Sequence, residues 1–125
     1  MIGIIVFFVL RKNDNGKEED YTDKYNGLIN CIYKLENETN NITLLGNEFK
    51  DNFFMDIFID GEKVKYSKIY NFNSLDEHKV QFGLNNSFSM DYMFKDVHNL
   101  KSVEMISNKN LEILSMISSF ENCEI

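Results

Sequence analysis

Residues 89–97, SMDYMFKDV, and residues 115–123, SMISSFENC, decide how the fold is read, because they repeat one phrase at a fixed offset. Ser89 and Ser115, Met90 and Met116, and Phe94 and Phe120 are identical at 115 − 89 = 26 residues, and Val97 and Cys123 align as small apolar residues. A period between about 20 and 29 residues is that of leucine-rich repeats. Between the copies, LKSVEM places Leu100, Val103 and Met105 in an L-x-x-L-x-L pattern, with Asn108 following where such repeats often carry Asn. One such unit supplies a short strand and a turn that cannot bury their apolar face alone, so the next unit must cover it. A strand is expected over Ser102–Met105, with SMDYMF as the turn whose Met93 and Phe94 fill the interior.

Upstream, residues 28–86 alternate with period two in short runs. LINCIYKL puts Ile29, Cys31, Tyr33 and Leu35 on one face, and its β-branched and aromatic content predicts a strand. ENETNN, 36–41, is then a polar turn before a short strand in ITLLG. In FFMDIFIDGEKVKY, Asp60-Gly61 separates two alternating runs, the signature of a two-residue hairpin turn. Opposed residues then carry numbers that sum to 121: Ile57 faces Val64, Met55 faces Tyr66, and Asp56 faces Lys65. Apolar pairs fall on one face and an opposite-charge pair on the other, so the register is self-consistent. SKIYNF and HKVQFGL read as further strands joined by the polar NSLDE, and no long amphipathic helix precedes residue 87. The expected class is mainly β: a small antiparallel β sandwich or curled sheet, then the first one to two repeats of a leucine-rich repeat solenoid.

The ends of the chain carry different compositions. MIGIIVFFVL is apolar from Met1 to Leu10 and is followed at once by Arg11 and Lys12. Ten residues rise only about 15 Å as a helix, half the hydrocarbon core, and the charge order is the reverse of a cleavable signal peptide. The favoured reading of residues 1–10 is a truncated membrane anchor, with a buried first strand or an unusual signal sequence as alternatives. Arg11 and Lys12 would favour a cytoplasmic C-terminal side, which missing upstream basic residues could reverse. Residues 11–27, RKNDNGKEEDYTDKYNG, read as a polar stalk. The division is therefore 1–10 anchor, 11–27 stalk, 28–86 β module and 87–125 start of the solenoid. Because the chain stops at Ile125 within the second repeat, a fragment is inferred, short at the C-terminus and at the N-terminus too.

Composition limits the functions on offer. The 125 residues are 43% hydrophobic and 14% aromatic, too apolar for a disordered chain. A net charge of −7, from 20 acidic and 13 basic residues without a basic cluster, argues against nucleic acid. Cys31 and Cys123 stand far apart and read as small buried hydrophobes, not as a zinc or disulfide pair. There is no G-x-S-x-G, phosphate loop or His-Glu-x-x-His, and His78 and His98 read as solvated residues, so no enzyme, cofactor, metal or small-molecule substrate is expected. Asp56, Asp60 and Glu62 crowd the hairpin, where turn chemistry and cross-strand pairing account for the two aspartates. Asn37, Asn41 and Asn85 head Asn-x-Ser/Thr sequons in expected turns, where a glycan could project into solvent in a luminal or extracellular setting.

SMDYMFKDVHNLKSVEM and SMISSFENC together resemble the 26-residue repeat of BspA-like leucine-rich repeat surface proteins, a recurring Met-x-x-Met-Phe-x-x-Cys-x-x-Leu-x-x-Leu-x-Leu unit. Met90, Met93, Phe94, Leu100, Val103 and Met105 match it, Val97 stands in the Cys position, and Met116, Phe120 and Cys123 match in the second copy. Ser119 stands where Met is usual and Asn108 where Phe is frequent, departures that suit a first, capping-side repeat. The resemblance covers residues 87–125, and the anchor, stalk and β module resemble more loosely the N-terminal region of longer, membrane-anchored members. It implies a non-enzymatic surface protein used for protein recognition or adhesion, with a protein partner and with the ten positions Met90 to Cys123 named above as repeat core. The alternative is a soluble intracellular β-domain interaction scaffold whose first strand is MIGIIVFFVL.

Overall fold

The computed structural model describes residues 5–9, 25–50, 56–107 and 113–123, with residues 5–9 and 107 described through their backbone. The described residues contain strands and turns and no helix. The architecture is mainly β, built largely on antiparallel pairs, as the period-two alternation predicts.

Among the described residues ten strands follow in chain order: β1 Ile5–Val9, β2 Gly27–Leu35, β3 Ile42–Thr43, β4 Asp56–Ile59, β5 Glu62–Val64, β6 Ile69–Tyr70, β7 Asp76–Leu84, β8 Phe88–Ser89, β9 Leu100–Ser107 and β10 Ile113–Ser115. Six form the main sheet in the order β1-β9-β2-β7-β4-β5, while β8 pairs with β10 and β3 with β6. β9 thus lies inside the same sheet as the 28–86 strands, and residues on both sides of position 87 share one buried core. The reason is geometric: Ile29 and Cys31 pair with Met105 and Val103, so the expected repeat strand extends the module's sheet instead of starting a separate one.

The Asp60-Gly61 hairpin has the expected register, Ile57 opposite Val64 and Ile59 opposite Glu62, with positive φ at both turn residues. Asp56 does not pair with Lys65, because β5 ends at Val64. Its carboxylate accepts the Tyr25 hydroxyl at 2.6 Å and lies 3.7 Å from Lys63 Nζ. The acidic neighbour and burial together push the Tyr25 hydroxyl pKa up, burial being the larger cause. Tyr25 to Gly27, assigned by sequence to the stalk, belong to the folded domain. The Tyr25 ring covers Gly83, where a Cβ would sit 2.9 Å from three ring carbons, and meets Phe58 edge to face at 6.0 Å. Residues 1–4 and 10–24 of the apolar run and stalk, Met55 and Asn108 lie outside the described residues.

The inner sheet face (Ile29, Cys31, Tyr33 and Leu35 of β2 with Val80 and Phe82 of β7) is buried against the 42–49 segment and the 90–97 turn. Tyr33 is 0% exposed, and its hydroxyl stays satisfied by donating to the Leu44 carbonyl at 2.5 Å. His78, expected in a solvated connection, is a buried residue of β7, which begins within the NSLDE segment. Strand alternation sends its ring inward, where Nδ1 lies 2.6 Å from Asp60 Oδ2, Nε2 lies 2.9 Å from the Ser74 carbonyl, and Phe72 packs at 4.6 Å. His98 is exposed. Asn37 and Asn41 are exposed and Asn85 is half-buried, the last two tied into turns: Asn41 N–H donates to Asn71 Oδ1, and the Asn85 carbonyl accepts from the Asn26 amide.

Candidate interaction surface

The two repeated phrases form two turns with one backbone. Residues in left-handed conformation recur at the 26-residue offset, Tyr92 (φ 62°) with Ser118 (φ 51°) and Asp96 (φ 63°) with Asn122 (φ 58°). The internal hydrogen bonds recur as well. Met93 N–H donates to Met90 O, Lys95 to Tyr92 and Val97 to Phe94, and the second turn repeats the set as Ser119 to Met116, Glu121 to Ser118 and Cys123 to Phe120.

The second turn is stacked on the first. The amides of Met90, Tyr92, Phe94 and Asp96 donate at 2.8–2.9 Å to the carbonyls of Ser115, Ile117, Ser119 and Glu121, and β8 pairs parallel with β10 beside them. Phe94 and Phe120 stack at 5.6 Å between centroids. Asp91 Oδ1 accepts the Ser115 hydroxyl at 2.6 Å and the Ile117 amide at 2.7 Å, which hold its carboxyl below the usual range. Ser119, in the position occupied by Met93 in the first turn, donates its hydroxyl to Met90 O at 2.7 Å, and the Cys123 thiol donates to Phe94 O at 2.7 Å. These two bonds give a physical reason for a small donor at each position. Burial raises the Cys123 thiol to about 11 and the Cys31 thiol well above its ordinary value, so neither is poised as a nucleophile.

On its other side the first turn meets the 42–49 segment. Gly46 N–H donates to Met93 O at 2.7 Å, and the approach is so close that a Cβ on Gly46 would fall 2.0 Å from Tyr92 O. Lys95 joins the layers, with Nζ 2.6 Å from Glu48 and 3.9 Å from Glu121.

Met90, Met93, Phe94, Val97, Leu100, Val103, Met105 and Cys123 are all buried. Phe120 is partly buried, and Met116 is 40% exposed although Met90, its counterpart, is fully covered. The difference comes from position in the stack, since the second turn covers the first and, among the described residues, nothing covers the second.

Across the outward face of β7, β2 and β9 lies an open groove of about 310 Å³ lined by Asn30, Cys31, Ile32, Lys79, Ser102 and Glu104. The buried Gln81 donates its amide to Asn30 Oδ1 at 2.9 Å, fixing that side chain at the groove. Sequence reasoning missed this face because it assigned β9 to another unit. Its only signal was the alternation of polar Ser102 and Glu104 with apolar Val103 and Met105. The hairpin carboxylates make structural contacts: Asp56 binds Tyr25 and Lys63, and Asp60 holds His78 and the Lys79 amide. Among the described residues no group of His, Cys, Asp and Glu could hold a metal ion, and no helix is long and apolar enough to cross a membrane. No family model, curated protein or solved structure matches the chain.

Proposed function

We propose that the chain is a non-enzymatic recognition protein of the cell surface, a β module that carries the first turns of a leucine-rich repeat solenoid and meets a protein partner through an outward sheet face. The observation that supports this reading is the stacked pair of turns, alike in φ, in internal hydrogen bonds and in spacing. A solenoid is built in this way, each unit repeating one backbone and covering its neighbour, and its strands line up to give an extended surface for partners. The surface location and the adhesive role come from the resemblance to BspA-like proteins. Ser102 and Glu104 place polar side chains of β9 along the groove, a surface suited to protein contact.

A photo-cross-linker tests it. Ser102→Cys can be labelled selectively because Cys31 and Cys123 are buried, and the labelled chain is mixed with a surface-protein extract. Protein adducts are expected from this position and not from a label at Glu62→Cys on the hairpin. Equal adducts from both, or none from Ser102→Cys, would overturn the reading.

One observation favours the second reading, an interaction scaffold whose apolar N-terminus is part of the domain: Ile5–Val9 pair with β9 over five residues. Under it, removal of residues 1–10 unfolds the protein; under the anchor reading the remaining domain keeps its fold.

A further inference from the structure

We propose that the lane of the sheet beside β9 is a strand-acceptor site, in which an extended segment with the alternation of β9 itself adds in parallel and takes the place held by Ile5–Val9. The inference rests on the repeat reading and deepens it by naming the edge and the kind of partner it accepts.

The direction of stacking fixes the lane. The first turn meets Gly46 and Glu48 on one side. That is the side of β2, whose Lys34 N–H donates to Asn99 O at 2.8 Å where the first turn leads into β9. On the opposite side it receives the second turn through the amides of Met90, Tyr92, Phe94 and Asp96. In the sheet the same course runs from β2 across β9 to β1. The first turn delivers its chain through His98 and Asn99 into β9. The second turn has the same backbone one layer further on, so it aims at a lane one strand spacing, about 4.8 Å, beyond β9 and parallel to it. β1 lies in that lane.

β1 also runs in the direction the repeat prescribes. Ile5, Val6, Phe7, Phe8 and Val9 pair in parallel with Ser102, Val103, Glu104, Met105 and Ile106. The remaining pairs of the main sheet, β2/β7, β2/β9, β4/β5 and β4/β7, are antiparallel. A segment from the opposite end of the chain therefore occupies the position and the polarity of a repeat strand. The neighbouring end of the stack is apolar and open: Leu114 is 66% and Ile117 60% exposed, whereas Phe88, the counterpart of Leu114, is 4% exposed. An incoming strand gains main-chain hydrogen bonds from the β9 edge, and its alternation sets the register, apolar beside Val103 and Met105, polar beside Ser102 and Glu104.

The probe is a fluorescent peptide of residues 100–107, LKSVEMIS, read by anisotropy. Its host is the full chain carrying Phe7→Cys and Glu104→Cys, which are Cα partners and so stand about 5 Å apart, within disulfide range. The reduced protein is expected to bind the peptide and the oxidised protein to bind at least about tenfold more weakly, because the disulfide holds β1 in its lane; one factor of ten corresponds to about 1.4 kcal/mol. A scrambled peptide should bind neither form. Equal binding in both redox forms, or no binding to the reduced form at the peptide's solubility limit, overturns the acceptor site. The repeat reading is checked separately by appending a second copy of residues 100–125 after Ile125. A gain in stability there, without peptide binding in the first experiment, refutes the acceptor site alone, and no gain refutes the repeat on which it rests.

Discussion

Phe94 and Phe120, 26 residues apart in sequence, stack with ring centroids 5.6 Å apart and planes inclined by 17°. Each ring occupies the same place in its own turn, yet Phe94 is 0% exposed and Phe120 only partly buried. Sequence identity does not make their energies equal. Truncation of a fully buried Phe costs about 3–5 kcal/mol, and a partly exposed ring less. Phe94→Ala is expected to destabilise by about 4 kcal/mol and Phe120→Ala by about half as much, compared by urea unfolding. Equal losses would mean that the second turn is packed as tightly as the first.

The His78–Asp60 contact makes stability depend on pH. Burial disfavours the imidazolium, but the Asp60 carboxylate at Nδ1 and the Ser74 carbonyl at Nε2, with the nearby charges of Asp60 and Asp76, outweigh it and raise the pKa. The contribution is complete below the unfolded value of about 6.5 and is lost as pH rises through the folded one. Unfolding free energy should therefore fall across the interval above about pH 6.5, and Asp60→Asn should flatten that fall. A wild-type profile no steeper than that of Asp60→Asn would contradict the assignment.

Gly46 and Gly61 separate close approach from backbone strain. At Gly46 an added Cβ collides with backbone, 2.0 Å from Tyr92 O and 3.1 Å from Lys95 N, so the first turn must move off the 42–49 segment. At Gly61 the φ is +90° and nothing lies within 4 Å. Gly46→Ala is expected to cost about 3 kcal/mol or more, and Gly61→Ala about 1–2 kcal/mol from its left-handed backbone alone. Thermal unfolding of the two variants checks the order.

The thiols should report local opening. Cys31 is 1% exposed on the inner face of β2 and Cys123 9% exposed at the end of the second turn, and burial raises both pKa values. A disulfide reagent at about pH 8, below the ordinary thiol value of about 8.5, is expected to label Cys123 slowly in the native protein and Cys31 only on unfolding. Rapid labelling of Cys31 without unfolding would place its opening outside the core transition.

By itself the sequence determined the local elements. Period-two alternation marked β2, β4 and β7, Asp60-Gly61 set the hairpin register, and the L-x-x-L-x-L pattern with its 26-residue offset located β9 and two turns of one backbone, because each of these signals is carried by the order of residues along the chain. Assembly was decided by tertiary structure. Ile29 has no local mark that it pairs with Met105, and nothing in NSLDEH shows that His78 turns into the core toward Asp60. Tyr25 looks like stalk until Gly83 opens room for its ring, and Met90 and Met116 are one residue type in one motif, told apart only by what is stacked above them. Local pattern specifies which face of a segment is apolar, but the partner that buries it comes from distant parts of the chain, and partner and neighbour together set burial, charge state and the surface left for recognition.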